Sequence, residues 1–187
     1  MVVEKPKTYC DYIKDLDPTN IHRIYHDEVY GFPLESDNEL FGRLVLEINQ
    51  AGLSWETILK KEANFRKAYD SFDIVKVANY LQSDIERLLH NKGIIRNKLK
   101  INAAVYNAQR ILELQKEHGS FKAWLNMNHP LSLDEWVKLF KKTFKFTGGE
   151  ITNEFLVSTG YLEGAHDLDC PIYDKIIQED PMWNKTQ

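Results

Sequence analysis

Residues 36–52 read SDNELFGRLVLEINQAG, and this stretch decides the fold class. Ser36-Asp37-Asn38-Glu39 has the pattern of a capping box, with the serine and glutamate side chains each satisfying the other's backbone amide. LFGRLVLEINQA follows, and Gly52 supplies a helix stop. Leu40, Leu44, Glu47 and Ala51 are spaced by three and four, so they share one helical face. Three apolar members make that the core-facing side, and the fourth is a carboxylate. A buried carboxylate is costly unless it is paired or hydrogen-bonded. Glu47 is therefore a stripe-edge residue reaching solvent, a partner of Arg43 one turn back, or a pocket acceptor awaiting a ligand with donors or positive charge. Tyr12, Tyr25, Tyr30 and Trp55 place aromatic surface in the same third of the chain, suited to a core or to a cage.

The same helical grammar continues outward. TILKKEANFRKAY (57–69) reads as a second helix. Ser83-Asp84-Ile85-Glu86 reads as another capping box, opening a short helix that Gly93 ends. From Asn97 to Glu117, Ile101, Val105, Ala108 and Leu112 line one face, and His118-Gly119 stops the run. Ser132-Leu133-Asp134-Glu135 opens a helix through WVKLFKK. After the turn Phe146-Thr147-Gly148-Gly149, ITNEFLVST forms a helix ended by Gly160. Period-2 alternation is nearly absent, so the predicted fold is all-α.

At 187 residues the chain suits one domain. We expect it to span 10–175, between an N-terminal tail (1–9) and a C-terminal tail (176–187). No apolar run approaches membrane-spanning length, and MVVEKPKTYC lacks the apolar core of a signal peptide. No membrane contact and a cytoplasmic location are expected, with thiols kept reduced. A net charge of −4 excludes global attraction to nucleic acid, so any such contact must come from local basic groups. Lys138, Lys141, Lys142 and Lys145 form one such group; Arg96, Lys98 and Lys100 form another.

The two cysteines each lie near a histidine: Cys10 before His26, and His166 four residues before Cys170. Two thiolates and two imidazoles would close the tetrahedral shell of a structural Zn²⁺, leaving no open position for catalysis. Two unrelated thiols and a Cys10–Cys170 disulfide are the alternatives.

The runs YHDEVYGFPL, LEINQAGLSWETILKK, GIIRNKLKI, FKFTGG and GYLEGAHDLDC resemble, in register from Cys10 to Cys170, the type I DNA-3-methyladenine glycosylases of the helix–hairpin–helix superfamily. The resemblance implies one structural zinc held by Cys10, His26, His166 and Cys170. It also implies Glu47 as the catalytic carboxylate contacting the excised base, with Tyr12, Tyr25 and Trp55 as base-binding rings. Gln50, Gly52 and Leu53 would face DNA, with Leu53 as an apolar wedge filling the gap in the stack. Lys145, Gly148 and Gly149 would grip a phosphate at the hairpin. The expected partner is double-stranded alkylated DNA, met by a monomer, and the expected activity is monofunctional excision of 3-methyladenine. The lysine nucleophile of bifunctional superfamily members is not evident, so no strand cleavage is expected. Tyr12 and Tyr30 stand where the family typically has Trp, and Glu150 where many relatives have a small neutral residue. Those departures keep a second possibility in view: an inactive module of the same fold that binds damaged or abasic DNA.

Overall fold

The segment that opens the sequence reading is a helix, α3 (Asp37–Gln50), in a computed structural model that describes residues 7–185. Every residue of α3 from Leu40 to Asn49 is buried, whatever its chemistry. The helix is therefore enclosed on all sides, rather than amphipathic with one inward stripe. It packs against α4 (Trp55–Leu59), α5 (Glu62–Ala68), α6 (Ile74–Ala78), α8 (Lys98–His118) and α9 (Phe121–Asn128), and against a 3₁₀ turn at Asp70–Phe72. The remaining helices are α1 (Tyr9–Ile13), α2 (Ile21–Glu28), α7 (Gln82–His90), α10 (Leu133–Thr143), α11 (Gly149–Ser158) and α12 (Tyr173–Gln178), with a second 3₁₀ turn at Met182–Asn184. No strand occurs among the described residues, as the absent period-2 alternation predicts.

The chain divides into two compact units. One comprises residues 34–155, and the other combines residues 1–33 with 156–187. Of the two expected tails, residues 1–6 and 186–187 lie outside the described residues.

Within unit 34–155, both ends of α3 are tied by charged side chains. At its start the Asp37 carboxylate accepts from the Phe121 and Lys122 amides (2.8 and 2.9 Å) and from Gln115 Nε2 (2.7 Å). It thereby satisfies donors at the N-terminus of α9, which otherwise lack helical partners. The expected capping box does not form. Ser36 is the N-cap but makes no side-chain capping bond, and the Glu39 side chain is drawn instead into a bidentate pair with Arg66 (2.8 Å for each bond). The second expected box also shifts. α7 is capped from Leu81, whose amide donates to Asp84, so the helix begins before Ser83. The third holds, with Ser132 and Glu135 each accepting from the other's amide.

Two further boundaries differ from the sequence reading. The helix expected over 57–69 is interrupted between Leu59 and Glu62. α9 escaped the periodicity reading, although Ser120 caps it and Gly119 ends α8 at a φ of +89°. Aromatic packing holds α9, α10 and α11: the Phe140 ring lies 5.4 Å from Phe144 and 5.5 Å from Phe155, and Phe121 lies 5.7 Å from Phe144.

Gly42 faces Phe72, where a Cβ would approach the ring to 2.5 Å. Gly42→Ala gains about 0.5–1 kcal/mol of helix propensity, while overpacking costs about 1–3 kcal/mol. A net loss of up to about 2.5 kcal/mol is expected in urea unfolding, the difference of these two effects. A midpoint raised by the full propensity gain would mean that Phe72 yields without cost.

Candidate functional site

In unit 34–155, α3 carries Glu47 into a position only 4% exposed. Arg43, one turn earlier, is 7% exposed. The solvent-reaching reading of Glu47 is thereby excluded. Four residues on, the chain leaves the helix through a tight turn. Ala51 has φ −49° and ψ 115°, and Gly52 has φ +81°. These are the angles of a type II turn, whose third residue must adopt positive φ and favours glycine. The turn closes twice: Leu53 N–H donates to Gln50 O (2.7 Å), and Gln50 Nε2 donates to Leu53 O (3.1 Å). Leu53 is left 39% exposed, and Ser54 caps α4, which begins with the half-buried Trp55.

Lys100 is not the surface cation expected from the sequence. It is 5% exposed, and its ammonium donates to Asn49 O (2.9 Å) and Ala51 O (2.7 Å) at the end of α3. Burial lowers its pKa. Its position explains the misreading: Lys100 falls in line with Ala103, Ala104, Asn107 and Ile111 on the buried face of α8. Arg96 and Lys98 do remain exposed. Arg96 lines an open groove of about 590 Å³ with Lys61 and Lys92, over apolar surface from Leu53, Leu89, Ile94 and Ile95. The groove lining contains three cations and no carboxylate. A second cleft, of about 370 Å³, has lining from α8, α9 and α10. Its lining mixes Arg110, which pairs with Glu113, with Glu117 and Lys142, and holds none of the expected site residues.

The hairpin at 144–149 is pinned from α8. Asn107 Nδ2 donates to Lys145 O (3.0 Å), and Lys145 N–H donates to Asn107 Oδ1 (2.8 Å). The exposed Lys145 ammonium lies 4.2 Å from the Tyr106 ring centroid. A side chain added at Gly148 or Gly149 would meet nothing within 4 Å. Internal packing does not demand glycine at either position, and the backbone there is open to close approach from outside.

The other unit gathers the four candidate metal ligands. Cys10 on α1, His26 on α2, and His166 and Cys170 ahead of α12 place one ligand atom each within 4.8 Å of the others. Sulfur–nitrogen separations are 3.2 Å (Cys10 to His26 Nε2), 3.6 Å (Cys170 to His166 Nδ1) and 3.8 Å for both remaining pairs. A tetrahedron with metal–sulfur bonds of ~2.3 Å and metal–nitrogen bonds of ~2.0 Å has sulfur–nitrogen edges of roughly 3.5 Å. The residues fit a tetrahedral ion. Each imidazole is also held through its other nitrogen, His26 Nδ1 to Asp27 Oδ1 (2.7 Å) and His166 Nε2 to Tyr30 O (2.8 Å). Such outer partners fix which nitrogen faces the metal. Burial alone would raise Asp27, but bonds from Arg23 and His26 outweigh it and hold the carboxyl below its ordinary range. Burial pushes the Cys10 thiol up to about 12, the neighbouring Cys170 adding to the effect, while the Asp167 amide opposes it. Burial lowers His166, which favours the neutral ring that a metal requires. Both cysteines are free thiols, so the disulfide alternative is not realised.

Of the expected base-binding tyrosines, Tyr25 is buried and Tyr12 is 43% exposed. Both rings meet Tyr9, Tyr12 in a stacked pair at 6.1 Å and Tyr25 tilted at 6.3 Å. Tyr9 also meets Tyr30 edge-on at 5.5 Å and hydrogen-bonds His22 (3.0 Å). The sequence reading missed Tyr9, although its place three residues before Tyr12 put both rings on one helical face.

The chain matches the family model described as Methyladenine glycosylase over residues 15–133. It is 36% identical over 183 residues to DNA-3-methyladenine glycosylase 1 of Escherichia coli (strain K12), an alignment covering 88% of this chain and 96% of that relative. The chain belongs to the methyladenine glycosylase family. Solved members agree. The 3-methyladenine DNA glycosylase I of Staphylococcus aureus superposes with a TM-score of 0.78 at 32% identity, covering 90% of this chain and 97% of that one. A variant 3-methyladenine DNA glycosylase I in complex with 3-methyladenine superposes with a TM-score of 0.76 at 32% identity, over 86% of this chain and 95% of that one. The all-helical architecture is thus that of the methyladenine glycosylases.

Replacing the Asp27 carboxylate (Asp27→Asn) is expected to weaken metal binding about 10–100-fold by freeing the His26 ring. Competition with a chromophoric chelator reads this directly. Unchanged affinity would show that His26 is oriented without Asp27.

Proposed function

We propose that this chain is a monofunctional DNA glycosylase that removes 3-methyladenine from alkylated double-stranded DNA, acting as a monomer, with residues 10–175 as the glycosylase-like domain. The observation that carries the reading is the carboxylate of Glu47, buried on an enclosed helix in a chain of this family. A base within a duplex is out of reach, so the nucleotide must turn outward into a pocket. Methylation at N3 gives the purine a positive charge, which weakens its bond to the sugar. The C1′–N9 bond breaks with its electron pair passing to the base, which leaves neutral. Water then adds to C1′ and releases a proton. Glu47 accepts hydrogen bonds from the base, and its charge favours the cationic sugar that develops. Tyr12, Tyr25 and Trp55 are assigned to the base as electron-rich rings.

DNA contact is assigned to two places. The turn of Gln50, Gly52 and Leu53 meets the vacated position in the stack, with Leu53 as the wedge. Lys61, Lys92 and Arg96 in the adjoining groove supply positive charge, which accounts for DNA binding by a chain of net charge −4. Lys145, Gly148 and Gly149 hold a phosphate at the start of α11, where open backbone supports close approach. Cys10, His26, His166 and Cys170 hold one structural zinc, whose chemistry is to cross-link the two ends of the chain within their own unit.

Incubating the protein with methylated duplex DNA is expected to release free 3-methyladenine, identified by chromatography and mass. Glu47→Gln should lower the rate by roughly 10²-fold or more, the scale of losing one preorganised electrostatic group. Saturable DNA binding with no base released would instead establish the inactive damage-binding module. Metal analysis should find one zinc per chain, with chelation lowering the unfolding temperature; full stability after zinc removal would contradict a structural role.

A further inference from the structure

The buried ammonium of Lys100 has an unusual pair of acceptors. Helix α3 ends at Gln50, and Lys100 binds the carbonyl just inside that end (Asn49 O, 2.9 Å) and the one just beyond it (Ala51 O, 2.7 Å). The second bond is the informative one. Ala51 and Gly52 are the central residues of the type II turn, and types I and II differ mainly in which way the peptide between them faces. A trans peptide holds its C=O and N–H on opposite sides. With Ala51 O drawn inward to the ammonium, the Gly52 N–H points away from it. Gly52 itself is exposed, so the turn faces outward at this residue.

We propose that Lys100 is a positioning residue for the DNA-facing turn: it sets the Ala51–Gly52 peptide so that the Gly52 N–H is presented to a hydrogen-bond acceptor on the nucleic acid. This rests on the reading of Gln50–Leu53 as the turn that meets the DNA stack. Two features make Lys100 suited to the task. It comes from α8, a 21-residue helix, so the anchor is rigid compared with the turn it holds. The ammonium also lies at the C-terminal end of α3, where a cation complements the partial negative charge of the helix end. The bonds across the turn between Gln50 and Leu53 fix its ends, and Lys100 grips its central peptide. Lys100 does not touch the base or the sugar in this scheme. It acts through the peptide that does the contacting.

The test uses the full chain and separates three readouts: 3-methyladenine release from a paired duplex, release from a single strand carrying the same lesion, and binding of free 3-methyladenine followed by tryptophan fluorescence. Lys100→Met removes the donor at similar length. Release from paired duplex is expected to fall on the order of 10–100-fold, as small misplacements of a positioning group do. Release from the single strand, where no stack needs filling, and binding of free base should stay within about twofold. Lys100→Arg should recover part of the loss. Gly52→Ala offers a second route should Lys100→Met not fold, because it strains the positive φ without exposing a buried cavity. It should lower release from the paired duplex, and the double variant should be no worse than the poorer single one, since both act on one peptide. Equal losses on duplex and single strand, or a folded Lys100→Met or Gly52→Ala with wild-type duplex activity, would overturn the proposal. A wild-type protein that releases no base from either substrate would instead sink the glycosylase reading itself.

Discussion

The structure of unit 34–155 depends on how one helix is enclosed. α3 has no solvent face from Leu40 to Asn49, yet it carries Arg43, Glu47 and Asn49. Taking such groups from water is costly unless they are satisfied in place. The helix is fixed at both ends by ionisable groups that complement its dipole. Asp37 sits in the first turn and ties α9 through three hydrogen bonds, while the Lys100 ammonium caps the last carbonyls. Gly42 lets the Phe72 ring press against the middle of the helix. A carboxylate on a helix held this tightly has little freedom to turn away from a ligand. That preorganisation is what the proposed recognition of a charged purine by Glu47 requires.

The other unit solves a different problem. Its two sequence segments lie far apart in the chain, and its helices α1, α2 and α12 are no longer than eight residues. Short helices are marginal on their own. The cluster of Cys10, His26, His166 and Cys170 offers a compact cross-link between these segments, already oriented by Asp27 and by the Tyr30 carbonyl. Burial pushes the Cys10 thiol up, so a metal seated there would have to displace its proton.

The sequence made visible what depends on local pattern and on unusual residue types. The all-α class followed from helical spacing, and the clustering of Cys10, His26, His166 and Cys170 from the pairing of the only cysteines with histidines. Glu47 stood out because a carboxylate broke an apolar run. What escaped depends on partners distant in the chain. Glu39 fits a capping box by spacing, but Arg66, 27 residues on, competes successfully for it. Lys100 reads as one of three neighbouring cations, and only the fold shows its reach to carbonyls 49 and 51 residues back. Two misses were avoidable. Gly119-Ser120 carries a helix stop and the next start, which marks α9, and Tyr9 shares a face with Tyr12.

The central claim is that the Glu47 carboxylate recognises the alkylated base, and equilibrium binding of that base tests it most directly. Wild-type protein and Glu47→Gln would be titrated with 3-methyladenine and with adenine, following tryptophan fluorescence. The account predicts that the wild type prefers 3-methyladenine and that the neutral variant binds it about tenfold or more weakly, the difference between a charge-assisted and an ordinary hydrogen bond. Equal affinity of the two proteins for 3-methyladenine, or a wild type that fails to distinguish it from adenine, would contradict the account.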